Sequence, residues 1–336
     1  MLTLCAMSCA IAVVQAEETR DSMLLAGIDF LHREKFEQAF QLFDSVILSY
    51  PENPVGYFFK AAAYANIASD YRNLAYTDSF FTYIEKAINV GKTVQESGNA
   101  TSEDLLFYGG AVGYRGIYRS FLGDWFGAFK DGLRGKNILA QALDMDSTNY
   151  DVYYGLGEYD YWRSAKTRVL WWLPFISDKR NEGVEQIFLA IQKGKLVKSE
   201  AKYGLLKIYD NENEYRSILQ LWNDYLIEIN PDDPFSLYFV GRALAQTGRY
   251  QEAIDTFGRL HEIYVSSPYY DPASELDVDY NLGVFYYKWG RYDKAVEYLS
   301  LAKDLAESMS HREDVEEAVK KSGDYYKKAL AALNDK

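Results

Sequence analysis

Two stretches near the end of the chain repeat one pattern of small, aromatic and aliphatic residues. Each starts at a glycine, Gly241 or Gly283, continues through a Gly-x-Tyr turn, and reaches an alanine, Ala253 or Ala295, at the same spacing. Apolar residues recur every three or four positions on both sides of the turn, which is typical of amphipathic helices. The pattern predicts a pair of helices joined by a short turn. Because one such pair cannot bury its own apolar face, copies of it must stack against one another.

Fainter copies of the same pattern extend toward the beginning of the chain. They predict further helix pairs at 20–53, from 54 with an extra segment around 69–77, at 102–146, from 150, and at 199–231. The pattern resembles the tetratricopeptide repeat, and the resemblance implies an all-α, superhelical solenoid of about seven helix-turn-helix units. The array is predicted over 17–309 with an insertion at about 161–177, and an amphipathic segment at 310–336 is predicted to be a C-terminal capping helix.

The prolines and the small residues agree with this reading. Proline inside a helix removes a hydrogen bond and clashes with the preceding turn, and every proline falls between predicted copies or, for Pro174, in the insertion. We expect Gly241, Gly283, Ala253 and Ala295 to lie where paired helices approach too closely to admit a larger side chain. The chain is therefore predicted to be almost entirely helical.

The first sixteen residues are uncharged and mostly apolar, and they end in Val14-Gln15-Ala16 before Glu17. An apolar run too short for a membrane span, followed by small residues at the cleavage positions, predicts a secretory signal peptide at 1–16. No Lys or Arg precedes the run, so a frayed apolar terminus or a different start site is the alternative. We expect the protein to be exported, and periplasmic or envelope-associated if its source is bacterial.

Charge and histidine content exclude several classes of function. A formal net charge of -13 and a pI near 4.8 argue against nucleic-acid binding, which depends on clustered Lys and Arg. The three histidines, His32, His261 and His311, fall in distant copies, and the chain has no phosphate-binding loop, nucleophile elbow or zinc-protease motif. We expect no cofactor, no metal and no enzymatic activity.

A candidate binding surface follows from the repeat register. The resemblance implies that the first helix of each pair lines a concave face, and four tyrosines occupy equivalent positions on these helices: Tyr154, Tyr203, Tyr238 and Tyr280. Neighbouring positions on the same face are predicted to be Glu158, Tyr161, Lys207, Arg242, Tyr287 and Lys288. Tyrosine offers a large contact area and a hydroxyl at small entropic cost, which suits a binding groove. The alternative is that these tyrosines only fill space between adjacent copies.

The insertion concentrates aromatic and basic residues in an otherwise acidic chain. Its candidate interaction residues are Trp162, Arg163, Trp171, Trp172 and Phe175. Three interpretations stay open: the insertion packs inside the groove, contacts a partner, or rests on a membrane surface, where Trp and basic residues are favoured together. Peripheral membrane contact is the interpretation we favour least.

Together these features predict an exported, non-enzymatic scaffold that binds a protein segment, a peptide or a small extended ligand in its concave groove. One alternative is a periplasmic repeat subunit of a transporter or envelope-assembly complex. Another is an enzyme with a site at the insertion, built from Asp160, Asp178 and Glu182.

Overall fold

The computed structural model describes residues 18–167, 177–312 and 315–335, and in that part of the chain all regular structure is helical. The chain divides into two compact units. The first unit comprises residues up to 65 together with 77–201, and the second comprises 66–76 together with the residues from 202 onward. The prediction of an all-α repeat fold is confirmed.

Helices in the first part of the chain follow one another as antiparallel neighbours joined by short turns. They are α1 (18–32), α2 (Phe36–Ser49), α3 (Pro54–Asp70), α4 (Thr77–Glu96), α5 (Ser102–Phe121), α6 (Trp125–Met145), α7 (Val152–Thr167) and α8 (Arg180–Lys193). Residues 161–167, which the sequence assigned to the insertion, continue α7. Residues 168–176 lie outside the described part of the chain.

Helices in the second part have the same alternating arrangement. They are α9 (Lys198–Asn211), α10 (Tyr215–Leu221, continued by the π-helical turn Trp222–Leu226 and by Ile227–Ile229), α11 (Pro234–Gln246), α12 (Tyr250–Ser266), α13 (Pro272–Lys288), α14 (Tyr292–Ser308) and α15 (Glu316–Asn334). The last helix, α15, packs on α13 and α14.

The ends of the helices are encoded locally. The Asp233 side chain accepts a hydrogen bond from the Ser236 backbone amide in the first turn of α11, and that of Asp271 accepts one from the Ala273 amide in the first turn of α13. Each aspartate is followed by a proline at the first helical position. At the other end, Gly248 and Gly290 adopt φ values of 82° and 78°, a left-handed conformation that glycine reaches without steric cost. These glycines belong to the Gly-x-Tyr turns, so the turn motif ends one helix and starts the next.

The small residues of the repeat pack as predicted. A Cβ placed on Gly283 would lie 2.5 Å from Leu299 Cγ, and one placed on Gly241 would collide with the ring of Phe257. Ala253 and Ala295 are completely buried on the facing helices. The prediction that these four positions hold paired helices in close contact is confirmed.

In the described residues, no helix combines the length and the apolar character that a membrane span needs.

Candidate functional site

The first helices of consecutive pairs in the second unit bring a set of aromatic and charged side chains to one surface. We call it the first-helix surface, and its members are Asp210, Tyr238, Arg242, Asp277, Tyr280, Tyr287 and Lys288, together with Arg72 from the segment that follows α3. Arg242 on α11 reaches α9, where its Nη1 lies 3.1 Å from Asp210 Oδ2. About a third of the Arg242 side chain is exposed, so the ion pair lies at the border between packed interior and solvent.

Asp210 meets only part of its bonding capacity in this pair. Its Oδ1 atom is buried and has no hydrogen-bond partner among the described residues. Burial raises the pKa of the Asp210 carboxyl, and Arg242 opposes that shift by its charge and its hydrogen bond. The ion pair therefore holds Arg242 in place, while the Oδ1 atom of Asp210 remains without a hydrogen bond from the described residues.

Residues 71–76 contribute to the same unit from far earlier in the sequence. Arg72, which has a left-handed φ of 55°, lies with Nε 3.3 Å from Asp277 Oδ2 on α13. Asn73 Nδ2 donates a hydrogen bond of 3.0 Å to the carbonyl of Tyr269, and the Tyr71 and Tyr264 rings meet edge to face. The sequence predicts this stretch only as an extra segment around 69–77 in the copy that begins at residue 54. Nothing in its local pattern indicated a long-range partner.

Tyr238, Tyr280 and Tyr287 present rings on the surface but are also held by their neighbours. The Arg242 guanidinium lies 5.5 Å from the Tyr238 ring centroid, and burial raises the pKa of the Tyr238 hydroxyl. Tyr325 of α15 meets both of the other rings edge to face, with centroid distances of 5.9 and 6.0 Å. Burial raises the pKa of Tyr280 to about 12, with Tyr325 as a further cause.

Lys288 is the exposed cation of the surface. Its Nζ donates a hydrogen bond of 3.1 Å to Gln246 Oε1 of α11, and no carboxylate pairs with it among the described residues. Partial desolvation of the Lys288 ammonium lowers its pKa, and the positive charge of Arg242 lowers it further. Lys207, half-buried on α9, adds another basic residue to this unit.

Three predicted site residues lie in the interior instead. Glu158, Tyr161 and Tyr203 are buried, and Glu158 accepts a hydrogen bond from Trp162 Nε1 at 3.2 Å. Tyr154 is half-buried in the first unit, and burial raises its pKa well above the ordinary value, with Glu158 as the next cause. The positions of these residues favour the packing interpretation over direct contact with a ligand. The reason is that Glu158, Tyr161 and Tyr203 are withdrawn from solvent, and the Tyr203 ring meets the Phe235 ring of α11 edge to face.

The candidate interaction loop is described only in part. Trp162 and Arg163 belong to α7, where the Tyr161 and Trp162 rings meet edge to face and Arg163 Nη2 donates a hydrogen bond to the Ser177 carbonyl at 3.3 Å. Trp171, Trp172 and Phe175 lie outside the described residues.

The carboxylates proposed for an enzymatic site do not form a cluster with catalytic character. Asp178 is paired with Arg180 at 2.8 Å on the surface, and Glu182 is exposed in the first turn of α8. Within the described ranges, no three His, Cys, Asp or Glu side chains are grouped so that they could hold a metal ion. The geometry offers no support for the enzymatic alternative.

Comparisons with known proteins agree with the helical-repeat architecture. A model of the tetratricopeptide repeat family matches residues 280–309, which comprise the second half of α13 and all of α14. No curated protein matches the sequence. Among solved structures, the APC/C hetero-tetramer Cut9-Hcn1 contains a similar chain, with a TM-score of 0.53, 14% identity, and coverage of 92% of this chain and 55% of that chain.

Two further structures are similar at lower scores. YrrB, described as a TPR protein with an unusual peptide-binding site, has a TM-score of 0.42 and 20% identity and covers 64% of this chain and 90% of its own. A TPR repeat-containing protein from Cytophaga hutchinsonii has a TM-score of 0.44 and 14% identity, with coverage of 88% and 99%. The fold defines a helical-repeat protein. Within that class, residues 280–309 match the tetratricopeptide repeat, a helix pair that stacks against its neighbours.

Proposed function

We propose that the protein is a non-enzymatic scaffold that holds an extended, acidic segment of a partner protein on the first-helix surface of the second unit. The observation that carries the proposal is the pair of cations Arg242 and Lys288. Partial desolvation lowers the pKa of Lys288 and the charge of Arg242 lowers it further, while the Lys288 ammonium donates to the Gln246 amide at 3.1 Å and has no carboxylate partner among the described residues. An anionic group from a ligand relieves this repulsion, so the surface favours a carboxylate.

The surrounding tyrosines favour an extended chain as the source of that carboxylate. Tyr238, Tyr280 and Tyr287 come from two successive first helices and place aromatic rings beside the cations. Their contacts with Phe257, Tyr292 and Tyr325 already restrict their motion, so little side-chain entropy is lost when a ligand stacks on them. A segment with one acidic residue and flanking apolar residues matches both features.

Selection from a displayed library of random peptides tests this proposal. We expect the wild-type protein to enrich peptides with an acidic residue next to aromatic or aliphatic residues. Affinity for the enriched peptides, measured by fluorescence anisotropy, should fall about tenfold in Lys288→Ala, because removing one partner of a charge-assisted contact costs roughly 1.5 kcal/mol or more.

Lys294→Ala is the matched control, because Lys294 is an exposed lysine on α14 that pairs with Glu297 at 2.8 Å. It should bind the peptides as wild type does. The proposal fails if no acidic peptides are enriched, or if the two lysine variants lose affinity equally.

We further propose that the protein is exported after removal of residues 1–16, so that the scaffold acts in the periplasm or at the cell envelope. The uncharged apolar run and the small residues before Glu17 support this. Intact mass spectrometry of the protein recovered from its natural source should show a chain that begins at Glu17. A mass that retains the first sixteen residues would contradict export by this route.

A further inference from the structure

The turn between α5 and α6 in the first unit exposes an unusual amount of apolar surface. Trp125, Phe126 and Phe129 are 61%, 82% and 64% exposed. We call this surface the α5–α6 corner, and its other members are Ile117, Phe121, Leu122 and Leu133. Contiguous apolar patches of this kind are rare on soluble monomers and mark interaction sites.

Packing of α6 does not account for these side chains. The helix already buries its opposite face, where Ile138, Leu139 and Ala142 contact the unit's interior. That face approaches α5 so closely that a Cβ on Gly135 would lie 2.8 Å from the Gly109 carbonyl oxygen. Because 126, 129 and 133 follow helical spacing, their side chains form a second apolar stripe on the outer face of α6.

The charges beside this stripe are positive, although the chain as a whole is acidic. Between residues 125 and 141 the cations are Lys130, Arg134 and Lys136, and the acid in the same range, Asp131, is buried. Lys166 extends the basic character, since its ammonium lies 5.7 Å from the Trp125 ring centroid.

Two acids lie at the edges of this region, and each has a local role. Asp124 caps α6 through the Gly127 amide and lies 3.8 Å from Arg119. Glu96 pairs with Lys92 at 3.6 Å. The net field of the outer face therefore favours anions, against a formal charge of -13 for the whole chain.

A groove continues from the corner between α4 and α6. Its volume is about 630 Å³, and Phe126, Phe129 and Leu133 line it together with Lys130 and Arg134. The groove gives the corner depth as well as area, with apolar and cationic groups on the same walls.

We infer that the α5–α6 corner is a peripheral docking surface for an anionic lipid bilayer. The aromatic side chains enter the boundary between head groups and acyl chains, and Lys130, Arg134 and Lys136 contact lipid phosphates. Exposed aromatic residues flanked by lysine and arginine are the composition that interfacial helices use. A second copy of the chain is disfavoured as the occupant. A two-fold interface at this corner would bring the same basic residues of both copies together, and their positive charges would repel.

Vesicle flotation with the full chain tests the inference. Wild type should bind vesicles of phosphatidylcholine with about 30% phosphatidylglycerol and bind pure phosphatidylcholine vesicles much more weakly, with affinity falling as salt rises. Phe126→Ser combined with Phe129→Ser should lower binding to the anionic vesicles at least about tenfold. Lys130→Glu combined with Lys136→Glu should remove the preference for the anionic vesicles.

Leu48→Ser is the matched control, because Leu48 is 82% exposed on α2, whose last turn contains no basic residue. It should bind as wild type does, and circular dichroism should show all variants folded. The inference is overturned if wild type ignores anionic vesicles, or if the double serine variant binds them like wild type. It is also overturned if sedimentation velocity shows a dimer that the serine substitutions abolish, because the corner then belongs to a second copy.

Discussion

Each of the two units contains a buried aspartate on a helix, and the two aspartates differ in whether a cation pairs with them. In the first unit, Asp131 is 2% exposed and accepts hydrogen bonds from Arg115 Nε, Arg115 Nη2 and Arg119 Nη1 at 2.6–2.8 Å. In the second unit, Asp279 is 8% exposed, and no cation pairs with it among the described residues. Burial raises the pKa of Asp279 to about 7, and the nearby Glu275 adds to the shift.

The difference shows that burial alone does not decide what a carboxylate does to stability. Asp131 replaces its lost hydration with two guanidinium groups, one of which also pairs with Glu85 at 2.7 Å. No cation in the described part of the chain compensates the hydration that the Asp279 carboxylate loses on burial, so its neutral form is favoured. The first carboxylate stabilises its unit in the charged state, and the second destabilises its unit whenever it is charged.

The largest effect is expected from Asp131→Ala. The substitution leaves the buried Arg115 guanidinium without its main partner, which should lower the free energy of unfolding by about 3–5 kcal/mol at pH 7. Urea unfolding measures the loss, and hydrogen exchange should locate it in α5 and α6. Asp144→Ala, at an exposed position on the same helix, should change stability by less than about 0.5 kcal/mol. If both variants lose the same free energy of unfolding, the ion pairs of Asp131 do not stabilise the first unit, and its contrast with Asp279 fails.

Asp279→Asn should have the opposite sign. The pKa of Asp279 is higher in the folded state than in the unfolded state. Its contribution to the free energy of unfolding is therefore complete below about pH 4 and is lost as the pH rises through about 7. The asparagine variant lacks this loss and should be more stable than wild type by about 2–4 kcal/mol at pH 8, with no gain at pH 4. Urea unfolding at the two pH values measures it. A variant less stable than wild type at pH 8 would refute the unpaired state of Asp279.

Arg119→Gln should have an intermediate effect. It removes one of the two guanidinium groups at Asp131, while Arg115 keeps its paired hydrogen bonds. Since the Arg119 side chain is about 30% exposed, the expected loss is only about 1 kcal/mol in the same unfolding assay. A loss as large as that of Asp131→Ala would mean that Arg119, not Arg115, compensates the buried charge.

Glu275→Gln should have the smallest effect. The substitution removes the negative charge beside Asp279 but retains an acceptor for the Tyr270 hydroxyl, which donates to Glu275 Oε2 at 2.5 Å. The pH at which stability is lost should move downward, and stability at pH 8 should rise by less than about 1 kcal/mol. An unchanged pH profile would show that burial alone sets the pKa of Asp279.

The sequence was sufficient for the repeat fold because its signals are local and steric. Gly241 and Gly283 must be small since a facing helix touches them, and Gly248 and Gly290 must tolerate a left-handed backbone. Both requirements act within one helix pair, so they recur at a fixed spacing and can be read without knowing the rest of the molecule.

The candidate site was predicted less completely because exposure depends on how neighbouring pairs rotate against each other. Tyr203 and Tyr238 occupy equivalent positions in the repeat, yet Tyr203 is buried while Tyr238 is partly exposed beside Arg242. The ion pairs between distant residues could not be predicted either, because an acidic sequence offers many carboxylates and no local pattern distinguishes the paired ones. Asp277 becomes distinctive only when the structure brings Arg72 to it.

The early segment 66–76 has a consequence for how the molecule is made. During synthesis it leaves the ribosome long before Tyr264, Tyr269 and Asp277, the residues that it contacts. These contacts join positions as far as 196 residues apart, so they form after the contacts within neighbouring helix pairs. They therefore add a slow, non-local step to folding. A fragment that begins at residue 202 lacks this segment entirely, and its rings and carboxylate at those positions remain open to water.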